Sequence, residues 1–470
     1  MQANGASQRG SAPSRYANSM LVAFLLLTAA PDLVPARWHS SDPKSLELVA
    51  RTPVNCLLVE QRDWSAAFAK RAADRGIATL GVVRPAPDAV EQARQAVSLG
   101  LSGVVLEGDF DPKVRTTLAD SKIITVELPT RSRMRLGDQT TPVIGTYQGV
   151  WPGIQIDAGG EAKSAPSGAP WIDTNTGFLR FVRAYTTKPV WIANTPPART
   201  VIPVQRYLQA IADAEIAGAH WVLALDDDFN RRLLQGDAKA LGEWTRIGAE
   251  LKFYQSHKDW RALRPHSDLA LVEDVASGAL LSGGVLDMIA VKHTPVRPVP
   301  NPKLSTEAMK DATLAVDVDP SSLDAAQKEV LKSFTRGGGT LLSGPPGWKF
   351  PTPKDGEITL GKDDFAKLDE IWKEVNGMTG RKNLGARLFN VSSMLSNLLE
   401  SADGKQLILH LVNYTDFPID SITAHVLGTF KHARLLAPDG TSKDLPVYAV
   451  EEGTGVDIDK VDVVATVILD

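Results

Sequence analysis

The stretch "LSGVVLEGDFDP" (101–112) decides how the first half of the chain reads. Leu101, Val104, Val105 and Leu106 form the short apolar run of a buried strand, and the run stops on Glu107, with Asp109 one glycine further on. Upstream, "DAVEQARQAVSLG" puts Val90, Ala93 and Val97 on one helical face, sets Asp88 and Glu91 at capping-box spacing and ends at Gly100. Downstream, "IITVEL" is another apolar run that closes on an acid, Glu127.

The same alternation fills residues 50–255. Strand-like runs are "VNCLLVE", "ATLGVV", "GVVLEG", "IITVEL", "PVIGTY", "GIQID", "PVWIAN" and "HWVLALD". Helical patterns separate them, such as "DWSAAFAKRAADRG", with Asp63 as N-cap and Gly76 as stop, and "PVQRYLQAIADAEIAG", from Pro203 to Gly218. Alternation predicts parallel α/β units, and about eight of them in roughly 200 residues predict a (β/α)8 TIM-like barrel over 45–262. A doubly wound open sheet is the competing architecture. No Gly-x-Gly-x-x-Gly follows the first strand, which weighs against its dinucleotide-binding form.

Beyond the barrel, "DLALVED", "MIAVKH", "ATLAVDVD" and "GGTLLSGPP" predict a small flavodoxin- or amidotransferase-like α/β domain over 266–350. Its clearest helix is "SSLDAAQKEVLKSFTRGGG", with Leu323, Val330, Leu331 and Phe334 facing the core. Residues 351–385 read as a linker carrying one helix, "FAKLDEIWKEVNG". From 386 to 470, alternating runs and short turns such as Pro438-Asp439-Gly440 predict an antiparallel β-sandwich.

Residues 1–36 have the order of a secretory signal: Arg9 and Arg15, the apolar run Met20–Ala30, then small residues that place a cut near Ala36. The run is too short for a membrane span, which predicts a secreted or periplasmic product with no membrane association once the signal is removed. Cys56 is the single cysteine and sits in an apolar run, as a core residue would. With 51 basic against 55 acidic residues, the chain shows no basic footprint for nucleic acid.

The strand ends carry the chemistry. Glu60, Glu107, Glu127 and Asp157 each close a run, and "LALDDDF" ends in Asp226, Asp227 and Asp228. In a barrel these positions converge on one mouth. Paired carboxylates there suit glycoside hydrolysis, one as acid and the other as nucleophile or base, so Glu107 and Glu127 are the expected catalytic pair. Glu60, Asp109, Trp151, Asp157, Trp171, Asp173, Asn175, Asn194, Asp226 and Asp228 are expected to bind the saccharide, since Trp faces stack on sugars while acids and amides bind hydroxyls. Asp109, Asp111 and Asp228 could equally cap helices, and Trp191 and Trp221, inside strands, read as core. The alternative use of Asp226 to Asp228 is a divalent-metal site, to which at most two of them could contribute and which lacks a nearby histidine pair, so no metal or other cofactor is expected; zinc-protease and serine-hydrolase motifs are absent from the sequence.

Barrel, amidotransferase-like domain and β-sandwich in this order resemble the family 42 β-galactosidases and related glycosidases. "SSLDAAQKEVLKSFTRGGGTLLSG" is similar to their middle domain and "QLILHLVNYTDFPI" to the opening of their last. The resemblance implies a non-catalytic middle domain that contributes to self-assembly; without a cysteine, that domain has no amidotransferase nucleophile. It also implies glutamates after strands four and seven, as acid/base and nucleophile. Glu127 takes the fourth place in the count above, whereas "PVWIAN", the seventh, ends on no acid. Three functions follow as expectations. The first is an exported glycoside hydrolase and the second a non-catalytic carbohydrate-binding protein on a degenerate barrel. The third, a two-lobed periplasmic sugar-binding protein, is disfavoured by the β-sandwich.

Overall fold

The computed structural model describes residues 32–138, 140–156, 162–164, 174–275, 293–344, 362–380, 385–391 and 393–470. The first unit has ten strands: β1 Pro35–Trp38, β2 Cys56–Val59, β3 Ala78–Val83, β4 Gly103–Glu107, β5 Thr125–Leu128, β6 Ile144–Thr146, β7 Ile154–Ile156, β8 Ala162–Ser164, β9 Val190–Ala193 and β10 His220–Val222. Its helices are α1 Leu46–Val49, α2 Ala66–Ala73, α3 Ala89–Ser98, α4 Pro112–Asp120, α5 Thr176–Tyr185, α6 Val204–Glu215, α7 Asp227–Leu234 and α8 Ala238–Ser256.

The strands build two parallel sheets, ordered β1-β2-β3-β4-β5 and β10-β9-β6. Their edges meet twice. Arg37 N–H donates to Leu223 O (2.7 Å) and Leu223 N–H to Pro35 O (3.1 Å), while Tyr147 N–H reaches Pro129 O at 3.4 Å. Successive strand residues face opposite sides, and both sides are apolar. Cys56, Leu58, Leu80, Val105, Leu128 and Trp191 share one cluster between the strands. Val83, Val104 and Leu106 instead pack with Ala89, Ala93 and Leu118 of the helices. The expected helix stops at Gly100 and Gly218 are present, with φ of 88° and 77°, values that a Cβ would strain.

Four sequence expectations need correction. The first strand is β1, inside the segment read as a signal, so the unit starts before residue 45. Ala36 is buried within β1, which pairs with β2, and a cut at Ala36 would sever this strand. "GIQID" is no member of the parallel sheets; β7 pairs antiparallel with β8. Ser65, not Asp63, caps α2, accepting from Phe68 N–H. Asp88 accepts from the Gln92 side chain and caps no backbone N–H, so that capping box does not form.

The N-terminal end is anchored across the unit. Asp32 accepts from Arg261 (2.7 and 2.8 Å) and Gln255 (2.7 Å) and lies 3.2 Å from His220 Nε2.

Next come β11 Arg264–Pro265, β12 Leu269–Glu273, β13 Arg297–Pro300, β14 Leu314–Asp317, α9 Ala325–Arg336, β15 Thr340–Ser343 and α10 Lys362–Thr379. The order β13-β12-β14-β15, all parallel, is the small open sheet expected. Asp324 and Gln327 form a capping box at the start of α9, and Leu323 and Leu331 are buried beneath it. Most of "MIAVKH" lies outside the described residues.

The chain ends in β16 Ala386–Phe389, β17 Met394–Glu400, β18 Leu407–Asn413, β19 Ile419–Leu427, β20 Ala433–Leu436, β21 Ser442–Leu445, β22 Val447–Val450, β23 Gly453–Val461 and β24 Val464–Leu469. Two antiparallel sheets, β11-β17-β18-β24-β20-β21 and β16-β19-β23-β22, share a core that includes Leu409, Val467, Ile422 and Ile458. The larger sheet docks on α5 and α6 through a polar seam. Arg180 donates to Ser396 O (2.6 Å), Gln209 to Asn413 O and Thr415 O (both 3.0 Å), and Asn397 to Ile216 O (2.6 Å). No helix among the described residues is long and apolar enough to cross a membrane.

Candidate functional site

The register of β4 and β5 settles where their acids point. Glu107 stands opposite Leu128, and Leu106 opposite Glu127. Leu128 belongs to the cluster between the strands and Leu106 to the helix layer, so Glu107 faces inward and Glu127 faces the helices. The sheet thus separates the expected catalytic pair. Glu127 lies in a side cleft of about 200 Å³, paired with Arg135 (2.7 Å) and 3.8 Å from Arg115.

Glu107 meets Glu60 instead, and neither is alone. Arg37 in β1, Glu60 after β2, Arg84 after β3 and Glu107 at the end of β4 bring alternating charges to one place. Arg37 donates to Glu60 at 3.0 Å and pairs with Glu107. Arg84 bridges both acids, at 2.7 and 2.9 Å to Glu60 and 3.0 Å to Glu107. The quartet is formally neutral. The Arg37 side chain is 1% exposed and Glu107 11%, whereas Arg84 is half exposed and covers the group. Burial draws the Arg37 guanidinium down to about 10. Burial also acts to raise the Glu60 carboxyl, but Arg84 and Arg37 outweigh it and hold Glu60 below its ordinary value. His39, near Glu60, is kept below the usual imidazole range by burial, and its Nδ1 is buried without a hydrogen-bond partner.

The remaining expected residues divide clearly. Asp109 accepts from Thr130 N–H and Oγ1 (3.0 and 3.1 Å), tying down the loop after β5. Trp151 is core: it lies buried with edge-on contacts to Tyr207 (5.3 Å) and Trp221 (4.9 Å), so it offers no free face for a sugar. Asn175 is fully buried, bonding Val150, Arg131 and Asp213. Asn194 donates to Gly149 O at 2.7 Å. Asp226 caps α7, accepting from Phe229 N–H (2.9 Å), Ile202 N–H (3.1 Å) and Tyr207 OH (2.8 Å). Asp228 pairs with Arg231 and Arg232 on the outside of α7. Asp157, Trp171 and Asp173 lie outside the described residues. Of the named acids among the described residues, only Glu60 and Glu107 are brought together.

Sequence reasoning missed Arg37, His39 and Arg84. The signal was present: Arg84 closes "ATLGVV" as the acids close their strands, and Arg37 and His39 alternate in "ARWH". It missed a second polar centre too. Asp213, fully buried and raised by that burial, accepts from Asn175 N–H (2.7 Å) and Nδ2 (2.8 Å), Tyr414 OH (2.7 Å) and the Thr176 hydroxyl. These partners lie up to 201 residues away, and helical periodicity cannot foretell them. Among the described residues, no three His, Cys, Asp or Glu side chains gather as a metal site would require.

No protein-family model and no curated protein matches the chain in sequence. Solved structures do match in shape. An α-L-fucosidase isoenzyme 2 from Paenibacillus thiaminolyticus superposes with a TM-score of 0.61 at 10% identity, covering 93% of this chain and 100% of that one. A β-galactosidase from Rahnella sp. R3 gives 0.54 at 9% identity, covering 93% and 98%. The chain therefore has a glycoside-hydrolase-like fold along almost its whole length.

Proposed function

We propose that the eight parallel strands β1 to β6, β9 and β10 close into a (β/α)8 barrel whose mouth binds a saccharide without cleaving it. The observation that carries this reading is the Arg37–Glu60–Arg84–Glu107 quartet. Counted from β1, Glu107 closes strand four, the place where the family 42 resemblance puts the acid/base; Glu127 closes strand five. A general acid must hold its proton at working pH. Glu107 instead is held by two guanidiniums, whose N–H groups occupy it as an acceptor. After strand seven stands Asn194, an amide already bonded to Gly149 O. Ionised carboxylates and guanidinium N–H groups remain good partners for sugar hydroxyls, and saccharide as the ligand class rests on analogy of fold. Export belongs to the same reading, with the leader removed ahead of Asp32, as does self-association through the middle unit.

One observation favours a hydrolase as the second reading: two guanidiniums hold the Glu107 side chain in place at a strand end, as a positioned glycosidase nucleophile requires. The test combines turnover of an aryl-glycoside panel with calorimetric titration of oligosaccharides, for native protein, Glu60→Gln and Glu107→Gln. The binder reading expects no turnover, together with an affinity that falls in either variant. Turnover by native protein, lost in Glu107→Gln at unchanged thermal stability, would put the hydrolase in its place.

A further inference from the structure

A cavity of about 530 Å³ opens where the first unit, the middle sheet and the larger antiparallel sheet meet. It lies at the other end of the parallel strands from the quartet: Thr186 and Thr187 precede β9, and Ile216 to Gly218 precede β10. Five cations line it, Arg180, Arg183, Arg261, Arg297 and Lys303, and no Asp or Glu is among the lining residues.

Arg261 is answered by Asp32 (2.7 Å) and Glu215 (2.9 Å). Among the described residues, Arg183 and Arg297 donate only to backbone carbonyls. Arg183 reaches Lys188 O (2.7 Å) and Arg261 O (3.2 Å); Arg297 reaches Ser267 O (3.1 Å), Ala308 O (3.4 Å) and Lys310 O. Lys303 stands 5.9 Å from the centre of the Tyr185 ring. Among the described residues, none of these three has a carboxylate within ion-pair distance. Asp268, Asp311 and Glu400 act on Arg297 only through space, and Glu400 is held by Arg264 and His266. Burial pulls the Arg183 and Arg297 guanidiniums below their ordinary range, with Arg261 adding to the effect at Arg183.

Each arginine taken singly is explained as a staple for carbonyls, and the C-terminal ends of α5 and α6 absorb part of the charge. Neither reason accounts for three cations around one cavity that have no directly ion-paired acid among the described residues. The rest of its walls are mostly apolar, with Ile216, Trp260, Leu263, Val299 and Leu399 beside the polar Thr186, Thr187 and Asn397. Partly desolvated guanidiniums are stabilised most by an oxyanion matching their forked donors. The volume is that of an ordinary small-molecule site, about 300–1,000 Å³. We infer that this cavity binds a compact organic oxyanion, a phosphate, sulfate or carboxylate carried on a body of about one or two sugar rings. The site is separate from the mouth and does not depend on what the mouth binds.

Calorimetric titration of the full chain with glucose 6-phosphate, glucuronate, inorganic phosphate and glucose tests this. At least one of the two sugar anions should bind more tightly than inorganic phosphate, and glucose should not bind here; which anion binds separates phosphate from carboxylate recognition. Lys303→Ala changes an exposed residue whose side chain makes no hydrogen bond among the described residues, so the fold is kept, and affinity should fall roughly tenfold. Arg297→Gln should weaken binding at least as much; where it fails to fold, Lys303→Ala decides alone. Absence of binding by both sugar anions, or affinity unchanged in Lys303→Ala, overturns the inference. Binding of inorganic phosphate as tight as either sugar anion overturns the organic body.

Discussion

Replacing Arg37 by Met leaves Glu60 and Glu107 facing each other with only half-exposed Arg84 between them. Breaking a buried ion pair from one side costs about 3–5 kcal/mol, because a charge is left uncompensated. Two features reduce this here. The Arg37 Nε–H is buried without a partner, and losing it returns about 1 kcal/mol. Arg84 also remains bonded to both acids. The expected loss is therefore about 2–4 kcal/mol near pH 7.5. The loss should depend on pH in one direction. In the native protein Glu60 is held below its ordinary 4.5, so its contribution is present above that pH and lost as pH falls through the lowered value. In the variant, two facing carboxyls push one pKa above 4.5, and that group destabilises progressively as pH rises through the raised value. The deficit of Arg37→Met should shrink between pH 7.5 and 5 by about 1 kcal/mol for each unit of that rise. Urea denaturation followed by tryptophan fluorescence measures it, with buried Trp38 next to the substitution as reporter. A deficit under about 1 kcal/mol at pH 7.5, or one identical at pH 5, would refute the quartet as the source of stability.

Three further outcomes are expected. Trp151→Ala should cost about 3–5 kcal/mol through lost core packing and leave oligosaccharide affinity of the folded fraction unchanged; a native urea midpoint with lost affinity would return Trp151 to the binding surface. Tyr414→Phe removes one of four donors to buried Asp213 and should destabilise by about 1.5–3 kcal/mol in urea, with no change counting against the hub. Burial pushes the Cys56 thiol up to about 12, so a chromogenic disulfide reagent should label it only after unfolding, and rapid labelling of native protein would contradict its placement.

What could be read ahead depended on how local each cause is. The Ala89–Ser98 helix, the Ala325–Arg336 helix and the apolar strand β18 follow from residues within one or two turns of each other, and each is found where its pattern lies. β1 escaped notice because "PARW" is four residues long and follows an apolar run that resembles a leader. That omission moved the count by one and promoted Glu127 over Glu107. Periodicity within one strand could not correct it, because the face on which an acid lies is fixed by register against its neighbours. Of the acids read at strand ends, Glu60 and Glu107 do meet in one charged cluster. That the cluster is formally neutral came from Arg37 and Arg84, whose charges a search for carboxylates passes over.

The anchoring of Asp32 has a consequence for synthesis. Asp32 and Arg261 are 229 residues apart, and β1 bonds β10 as well as β2. On the ribosome the earliest strand of the unit can pair with β2 soon after both emerge, but its other edge and its ion pair stay open until the last helix of the unit has left the tunnel. Contacts of such high sequence separation form late and slowly, so nascent chains would carry a bare strand edge while the rest of the unit is being made. A chain shortened past Asp32 would have to close that edge without the ion pair to Arg261.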